Sequence, residues 1–313
     1  MDTPMSNTIS RVGLLALGLS LVIGSSAAGQ GRIAERWAFD SGGSVRIAVP
    51  FGSVHVFGWD KDSLEVVAAF AAGAGRFYGV GDRRVRKLGV ERSAGAGGGG
   101  GGDTGRAKVE VYVPRRASVW VKSAAADIEV TGVDGVLDLN AVSGTIRVLG
   151  TPQDVTAESM NGNIEIAGGT GRARVKTVSG GILLRGASRD LGASTLSGAI
   201  VVRAAGWQRG GTGVQRGRFE SVTGDIRFDG ELGRGGVLEI ESQSGKIEVR
   251  VPAPTVADFD AVTIGGTISN TLDKTQPETR AVGVGQELHF STGTGGAQVT
   301  VRNFKGAIVL TPK

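Results

Sequence analysis

The chain has 313 residues, 54 of them glycine and none cysteine, and a formal net charge of +5. The lack of cysteine excludes disulfide bonds, thiolate metal sites and a cysteine nucleophile. Glycine is far above its usual share of ~7%, and valine, isoleucine and threonine fill the segments between the glycines, so the composition disfavours helices and indicates a β protein with many tight bends.

Residues 1–28 have the layout of a cleaved secretory signal peptide. Arg11 precedes the apolar run VGLLALGLSLVIG, and the small residues Ser26 and Ala28 occupy the −3 and −1 positions of a cleavage site. The apolar run is shorter than the ~20 residues that a membrane-spanning helix needs. We therefore expect an exported protein that is periplasmic, cell-surface associated or secreted, with no transmembrane segment after signal cleavage. Residues 29–42 are expected to form an N-terminal lead-in.

A sequence repeat begins near residue 43. Each copy has a glycine, here numbered position zero, with an isoleucine two positions later and a period-two strand on either side. The glycines are Gly144, Gly162, Gly180, Gly198, Gly224, Gly245, Gly266 and Gly306. Apolar residues at −7, −5, −2, +2 and +4 are expected to point inward. The small residue at −1 is expected to hydrogen-bond local backbone, and the glycine to permit a positive φ or a close approach of the next copy.

Stacking of such copies buries their matched apolar columns and produces a β-solenoid. We predict an all-β, parallel β-helix-like stack of two-strand repeats of roughly 18–21 residues, forming a single domain over 43–312. Earlier copies surround Gly52 and Ala126. A hexapeptide β-helix is excluded, because steps of six from Ile146 reach a proline and a glutamate. The short interval before Gly306 predicts a hairpin-like cap at the end.

The repeated motifs resemble a known bacterial family. VSGTIRV, MNGNIEI, VTGDIRF and QSGKIEV, with the earlier FGSVHVFGWD and VEVYVP, are similar to the bacterial putative-adhesin family of unknown function, which is related to head-GIN autotransporter-adhesin domains. The resemblance covers residues 38–312. It implies an exported β-solenoid and no established catalytic residues, and the adhesin label is itself an inference within that family.

Candidate catalytic residues are few. His55 and His289 lie at opposite ends of the repeat array, which argues against a zinc site or a catalytic triad. Glu220 and Glu241, both at position −4 of neighbouring copies, could lie about 5 Å apart as in a retaining glycosidase. A solvated ladder edge is the favoured interpretation, because nothing else converges there. We assign no catalytic residue, metal site or cofactor.

Most of the net positive charge, +4 of +5, lies in residues 73–107, which also contain a glycine run. We expect this segment to be a basic, glycine-rich insertion loop. The functional interpretation is contact with acidic envelope polymers or phospholipid through Arg83, Arg84, Arg86 and Lys87. A plain solvated loop is the favoured interpretation, and nucleic acid is not an expected partner of an exported chain.

Three classes of function stay open from the sequence. The favoured one is an exported, non-enzymatic adhesin or envelope scaffold that binds an envelope polysaccharide, an acidic polymer or another envelope protein. The second is a carbohydrate-active β-helix enzyme, a lyase or hydrolase, which would need a groove with converging carboxylates. The third is an envelope-stress or sensing component.

Overall fold

The computed structural model describes residues 30–71, 76–91, 107–204, 213–279 and 284–313. These residues form 27 β-strands joined by turns, and among them no helix is long and apolar enough to cross a membrane. The predicted signal peptide lies outside the described residues.

Strands at the N-terminal end are β1 (Gln30–Ala38), β2 (Ser44–Ala48), β3 (Phe51–Trp59), β4 (Ser63–Ala71), β5 (Arg76–Gly81), β6 (Val85–Glu91) and β7 (Ala107–Pro114). The regular repeats contain β8 (Ser118–Ser123), β9 (Ala125–Thr131), β10 (Val136–Ala141), β11 (Ile146–Gly150), β12 (Asp154–Ser159), β13 (Ile164–Gly168), β14 (Thr170–Thr177), β15 (Ile182–Arg185), β16 (Ser188–Thr195), β17 (Ile200–Ala204), β18 (Val214–Ser221), β19 (Ile226–Gly230), β20 (Leu232–Ser242) and β21 (Ile247–Val251). The C-terminal end contains β22 (Ala257–Thr263), β23 (Ile268–Asn270), β24 (Glu278–Thr279), β25 (Gln286–Ser291), β26 (Ala297–Asn303) and β27 (Ile308–Pro312).

The strands form two long, mostly parallel sheets that face each other across one core. Sheet A has the order β1-β4-β7-β3-β9-β11-β13-β15-β17-β19-β21-β27-β23, and sheet B the order β24-β25-β22-β26-β20-β18-β16-β14-β12-β10-β8-β2-β6-β5. Each repeat contributes one strand to sheet B and the next to sheet A. The isoleucines at +2 are in register, with Ile146 beside Ile164 and Ile164 beside Ile182. The predicted β-solenoid stack is therefore confirmed.

The sequence predicted five columns of side chains that point into the core. Four of these columns do so, and the column at position −2 does not. Positions −7, −5, +2 and +4 supply core residues such as Leu137, Phe219, Ile182 and Phe228. Position −2, however, points to solvent in every described copy except those of the half-buried Val222 and Pro50. The reason lies at position −3, where the period-two alternation of the sheet B strand continues inward and ends on a small polar residue. The next residue is the first of the bend and is turned outward.

The polar residues at −3 are buried because their side chains bind the bend that follows. The Ser159 hydroxyl accepts a hydrogen bond from the Gly162 N–H at 2.8 Å, and Thr195 does the same for Gly198 at 3.0 Å. Equivalent bonds are made by Ser123, Thr177, Ser221, Ser242 and, through its amide oxygen, Asn303. The residues at −1 do not bond their own bend as expected: the Ser143 hydroxyl donates to the Ala124 carbonyl of the preceding rung at 3.2 Å.

Glycine is required at position zero mainly by close approach of the neighbouring rung. A Cβ on Gly162 would lie 1.7 Å from the Gly144 carbonyl oxygen, and one on Gly180 would lie 2.0 Å from the Gly162 oxygen. Gly144 also has a φ of +107°, which favours glycine. In the following rungs the glycine at position zero is required only because a side chain would collide with the neighbouring rung. The same contact with the adjacent rung's glycine restricts Gly198, Gly224, Gly245, Gly306 and Gly266.

The N-terminal end of the stack differs from the prediction. Residues 29–42 were expected to be a lead-in, but β1 is the edge strand of sheet A and pairs antiparallel with β4. The loop prediction for 73–107 is wrong over 76–91, where β5 and β6 form an antiparallel hairpin and β6 pairs in parallel with β2. Leu88 and Val90 point into the core, so burial of these side chains stabilises a strand. The glycine run lies outside the described residues.

The C-terminal strands are inserted into the stack. Strand β26 pairs in parallel with both β20 and β22, and β27 with both β21 and β23. The rung of Gly306 therefore lies between the rungs of Gly245 and Gly266. The expected hairpin-like cap is wrong for this segment. The sheet ends instead on β25 and β24, and β25 runs antiparallel to β22.

The first prediction tests the +2 column. Ile182 is 2% exposed, so Ile182→Asp places an unpaired carboxylate in the core and should lower the free energy of unfolding by several kcal/mol. Glu165 points outward and pairs with Arg147 and Arg185, both at 3.3 Å, so Glu165→Ala should cost about 1 kcal/mol. Urea unfolding of the two variants measures the difference; equal losses would contradict the column assignment.

The second prediction tests the glycine contact with two adjacent residues. Gly180→Ala forces a methyl group onto the Gly162 carbonyl and should destabilise the fold by about 2–4 kcal/mol. Gly181→Ala is the matched control, because the nearest atom to its Cβ is the Asn163 side-chain oxygen at 3.5 Å. Thermal unfolding compares the variants, and a Gly180→Ala protein as stable as Gly181→Ala would show that the stack tolerates a side chain there.

Candidate functional site

The outward residues at position −2 form a continuous ridge along one corner of the stack. In rung order this ridge contains Val142, Met160, Val178, Leu196, Val222, Gln243, Phe304 and Ile264. Seven of the eight are apolar, and six of those are 38–52% exposed. At about 4.8 Å between rungs, eight rungs make the ridge about 34 Å long. We call this set of eight residues the apolar ridge.

A groove of about 600 Å³ runs beside the apolar ridge on the outer side of sheet B. One wall is the ridge itself, from Val178 to Phe304. The opposite wall is the outward −4 column, with the charged residues Lys176, Glu220, Glu241 and Arg302. The buried residues at −3 line the floor between the walls. The groove is thus amphipathic and open along the stacking direction.

Charges farther from the ridge pair within the protein. Arg172 lies 3.7 Å from Asp154 and 3.5 Å from Asp190, and Arg174 lies 2.9 Å from Asp190. The hydrogen bond from Arg174 lowers the pKa of Asp190. In contrast, Glu158, Lys176 and Glu241 of the −4 column make no ion pair within 4 Å in the described part of the chain. The wall nearest the ridge therefore carries three charged side chains outside any close ion pair, although Glu241 lies in register with Arg302 and interacts with it electrostatically.

Glu220 and Glu241 are indeed neighbours in register, as the repeat predicted. Arg218 binds Glu220 at 2.5 Å and Glu239 at 3.4 Å, and the hydrogen bond with Glu220 raises the pKa of the arginine. One of the two predicted carboxylates is thus engaged by a surface ion pair. The two side chains form part of a charged ladder on the wall of the groove.

The predicted polyanion contact residues do not share one surface. Arg83 and Arg84 flank the carboxylate of Asp40 at 3.3 and 3.5 Å and stay largely exposed. Lys87 points outward from β6. Arg86 instead points inward: it is buried, its guanidinium lies 4.4 Å from the centre of the Trp37 ring, and desolvation lowers its pKa. Contact with acidic polymers stays a prediction for the other three side chains.

The two histidines lie far apart, as the repeat order predicted. His55 is on the outer face of sheet A, 6.3 Å from the Phe57 ring. His289 lies 3.1 Å from Asp260 at the other end of the stack. Within the described ranges no group of three or more histidine, aspartate or glutamate side chains could hold a metal ion.

The Asp260 carboxylate is bound at both oxygens by Arg302, a residue that lines the groove. These hydrogen bonds from the guanidinium lower the pKa of Asp260, and His289 adds a smaller effect of the same sign. This pair joins β22 to β26 and so ties the inserted C-terminal rung to its neighbour.

The third prediction concerns acid stability. Because the pKa of Asp260 is lower in the folded protein than in the unfolded chain, the stabilisation it provides is present above about pH 4 and is lost as pH falls through the folded value. Asp260→Asn should weaken the protein at pH 7 and lose less further stability at pH 3 than the wild type. Glu158→Gln is the control. Urea unfolding at both pH values measures the effect, and parallel losses in all three proteins would contradict it.

Comparison with solved structures finds folds that resemble this one only distantly. A putative adhesin from Parabacteroides distasonis ATCC 8503 is 9% identical with a TM-score of 0.47, covering 90% of this chain and 97% of its own. A putative adhesin from Bacteroides fragilis NCTC 9343 is 12% identical with a TM-score of 0.45, again covering 90% and 97%. A structure named putative lipid binding protein from Parabacteroides distasonis ATCC 8503 is 8% identical with a TM-score of 0.44, covering 90% and 96%. These likenesses carry no argument about function.

The family of the chain is shown by a match over most of its length. No curated protein matches the sequence. A family model described as Toastrack DUF4097 matches residues 90–311, more than two thirds of the chain, and spans the regular rungs that carry the apolar ridge. The chain belongs to the Toastrack DUF4097 family.

Proposed function

We propose that the protein is an exported, non-enzymatic binding module of the cell envelope that docks a protein partner along the apolar ridge and its groove. The single observation that carries this proposal is the ridge itself, with seven apolar side chains at eight successive solvent-facing bends. Export rests on the layout of residues 1–28.

Folding accounts for only part of the apolar character of these bends. Residues at −3 and zero fix most of the bends through a side-chain oxygen and the glycine, whereas six of the apolar side chains at −2 keep 38–52% of their surface exposed. Each exposed valine or leucine instead offers apolar area whose burial stabilises a complex by about 25 cal/mol per Å². Contiguous exposed apolar surface is typical of interaction sites.

The chemistry of the groove favours a protein over a polysaccharide as the partner. One long wall is mostly apolar, beginning with Val178 and Leu196, and the other carries separate charges of both signs. Amphipathic surfaces of this kind match protein interfaces, in which an apolar centre is bordered by polar groups. A glycosidase would need two free carboxylates facing a sugar, whereas Glu220 is held by Arg218.

The fourth prediction tests the ridge as a docking surface. Met160→Glu combined with Leu196→Glu should weaken saturable binding of the labelled mature protein to envelopes isolated from the producing cells by tenfold or more, a rough expectation for two charged groups buried in an interface. Val85→Glu combined with Val136→Glu is the matched control, since both valines are exposed but lie off the ridge. Equal binding by the two double variants would contradict the proposal.

Two further experiments distinguish a protein partner from a polysaccharide partner and a binding module from an enzyme. Binding that survives protease treatment of the envelopes but not removal of polysaccharide would assign a polysaccharide partner. Turnover of a polysaccharide by the wild type that disappears in the Glu220→Ala, Glu241→Ala double variant would show an enzyme and overturn the non-enzymatic assignment.

A further inference from the structure

We infer that the partner of the apolar ridge is a second copy of this chain, packed antiparallel about a two-fold axis that crosses the ridge between Leu196 and Val222. This inference rests on the proposed function and specifies the partner. Isologous pairing requires a surface that complements itself when its direction is reversed. Both the ridge and the charged column beside it meet that requirement.

Reversal places apolar residues opposite one another over nearly the whole ridge. With the axis between the fourth and fifth rungs, Leu196 faces Val222 and Met160 faces Phe304. The outer positions pair Val142 with Ile264. Val178 faces Gln243, the one polar residue of the ridge. All eight rungs overlap in this register.

The same axis makes the −4 column complementary in charge. In rung order that column contains Asn140, Glu158, Lys176, Ser194, Glu220, Glu241, Arg302 and Val262. Reversal places Lys176 opposite Glu241 and Glu158 opposite Arg302, and the two-fold axis repeats each pair. No two like charges lie directly opposite one another, and the two copies of Glu220 are offset by one rung across the axis. A shift by one rung in one direction would place Lys176 opposite Arg302, and the like charges would disfavour that register. A shift in the other direction would place Lys176 opposite Glu220.

Three of the four charges used by this register make no ion pair within 4 Å among the described residues, and the fourth, Arg302, binds Asp260 and lies in register with Glu241. Among the described residues, Glu158, Lys176 and Glu241 lack an ion pair within 4 Å, although Lys176 and Glu158 are in register on adjacent strands. Arg302 binds Asp260 through its two terminal nitrogens, and its side chain stays 41% exposed. Partners across an interface would satisfy these groups and set the register.

The size of the surface is sufficient for a specific but modest dimer. A strip of about 34 Å by 15–20 Å buries roughly 1,000–1,400 Å² in total, at the lower end of stable interfaces. Self-association in the micromolar range is therefore expected, and it should weaken with salt because charge pairs border the contact.

The first test compares two valines of equal exposure. Val178 and Val136 are both 38% exposed, but only Val178 lies on the ridge. Sedimentation equilibrium of the mature chain should show a concentration-dependent dimer for the wild type and Val136→Glu. Val178→Glu would face Gln243 beside Glu241 of the second copy and should weaken the dimer by at least about tenfold. A wild type that is monomeric up to about 1 mM, or a dimer unaffected by Val178→Glu, would overturn the inference.

The second test examines which charged residues face each other across the two-fold axis. Lys176→Glu and Glu241→Lys should each weaken the dimer, because each creates two like-charge contacts across the axis. The double variant exchanges the charges and should restore association to within a few-fold of the wild type at low salt. Within one chain the two residues are three rungs, about 14 Å, apart, so restoration cannot come from a contact inside the subunit. Failure of the double variant to restore the dimer would overturn the antiparallel register.

Failure of this inference is distinguishable from failure of the proposed function. A monomeric wild type whose envelope binding is still lost in Met160→Glu, Leu196→Glu would leave the ridge as a docking surface for a different protein. If Val178→Glu weakens the dimer but the Met160→Glu, Leu196→Glu double variant binds envelopes as the wild type does, self-association would be the role of the ridge.

Discussion

The structure depends on the contact between the glycines of successive rungs. From Gly162 onward each glycine at position zero lies so close to the carbonyl of the glycine in the adjacent rung that no side chain fits, and in five of these rungs the hydroxyl at −3 accepts a hydrogen bond from the N–H of the same glycine. The steric restriction and the hydrogen bond thus act on the same glycine residue. Together they hold the bend in the same place in every rung, and therefore keep the isoleucines at +2 in one column of the core.

A bend fixed in this way determines what the surface displays. Since −3 faces inward and glycine occupies zero, the residue at −2 must leave the stack, and identical bends place all such residues in one line. The outcome is a ridge whose period equals the spacing of the rungs. Rigid strands support every ridge side chain, so a partner meets a preorganised surface and loses little conformational freedom on binding.

The order of rungs at the two ends follows from burial of strand edges. Strand β26 pairs on both sides, and its insertion places Phe304 between Gln243 and Ile264 on the ridge. Arg302 and Asp260 reinforce that position with a charged pair. At the other end, β6 covers β2 with Leu88 and Val90, and the antiparallel strands β1 and β5 end the sheets. The ridge is therefore completed by residues distant in sequence.

The sequence by itself determined the repeat, the all-β class and four of the five core columns, because period-two alternation and an isoleucine two residues after each glycine are local signals. It did not determine the direction of Val178 or Leu196, since alternation cannot be extended through a bend. The serine or threonine three residues before six of the eight glycines was the available sign that the phase changes there. Only the tertiary structure decided the insertion of β26, the strands within 76–91 and the separation of Arg86 from its basic neighbours, because each depends on which edge or core space distant segments leave free.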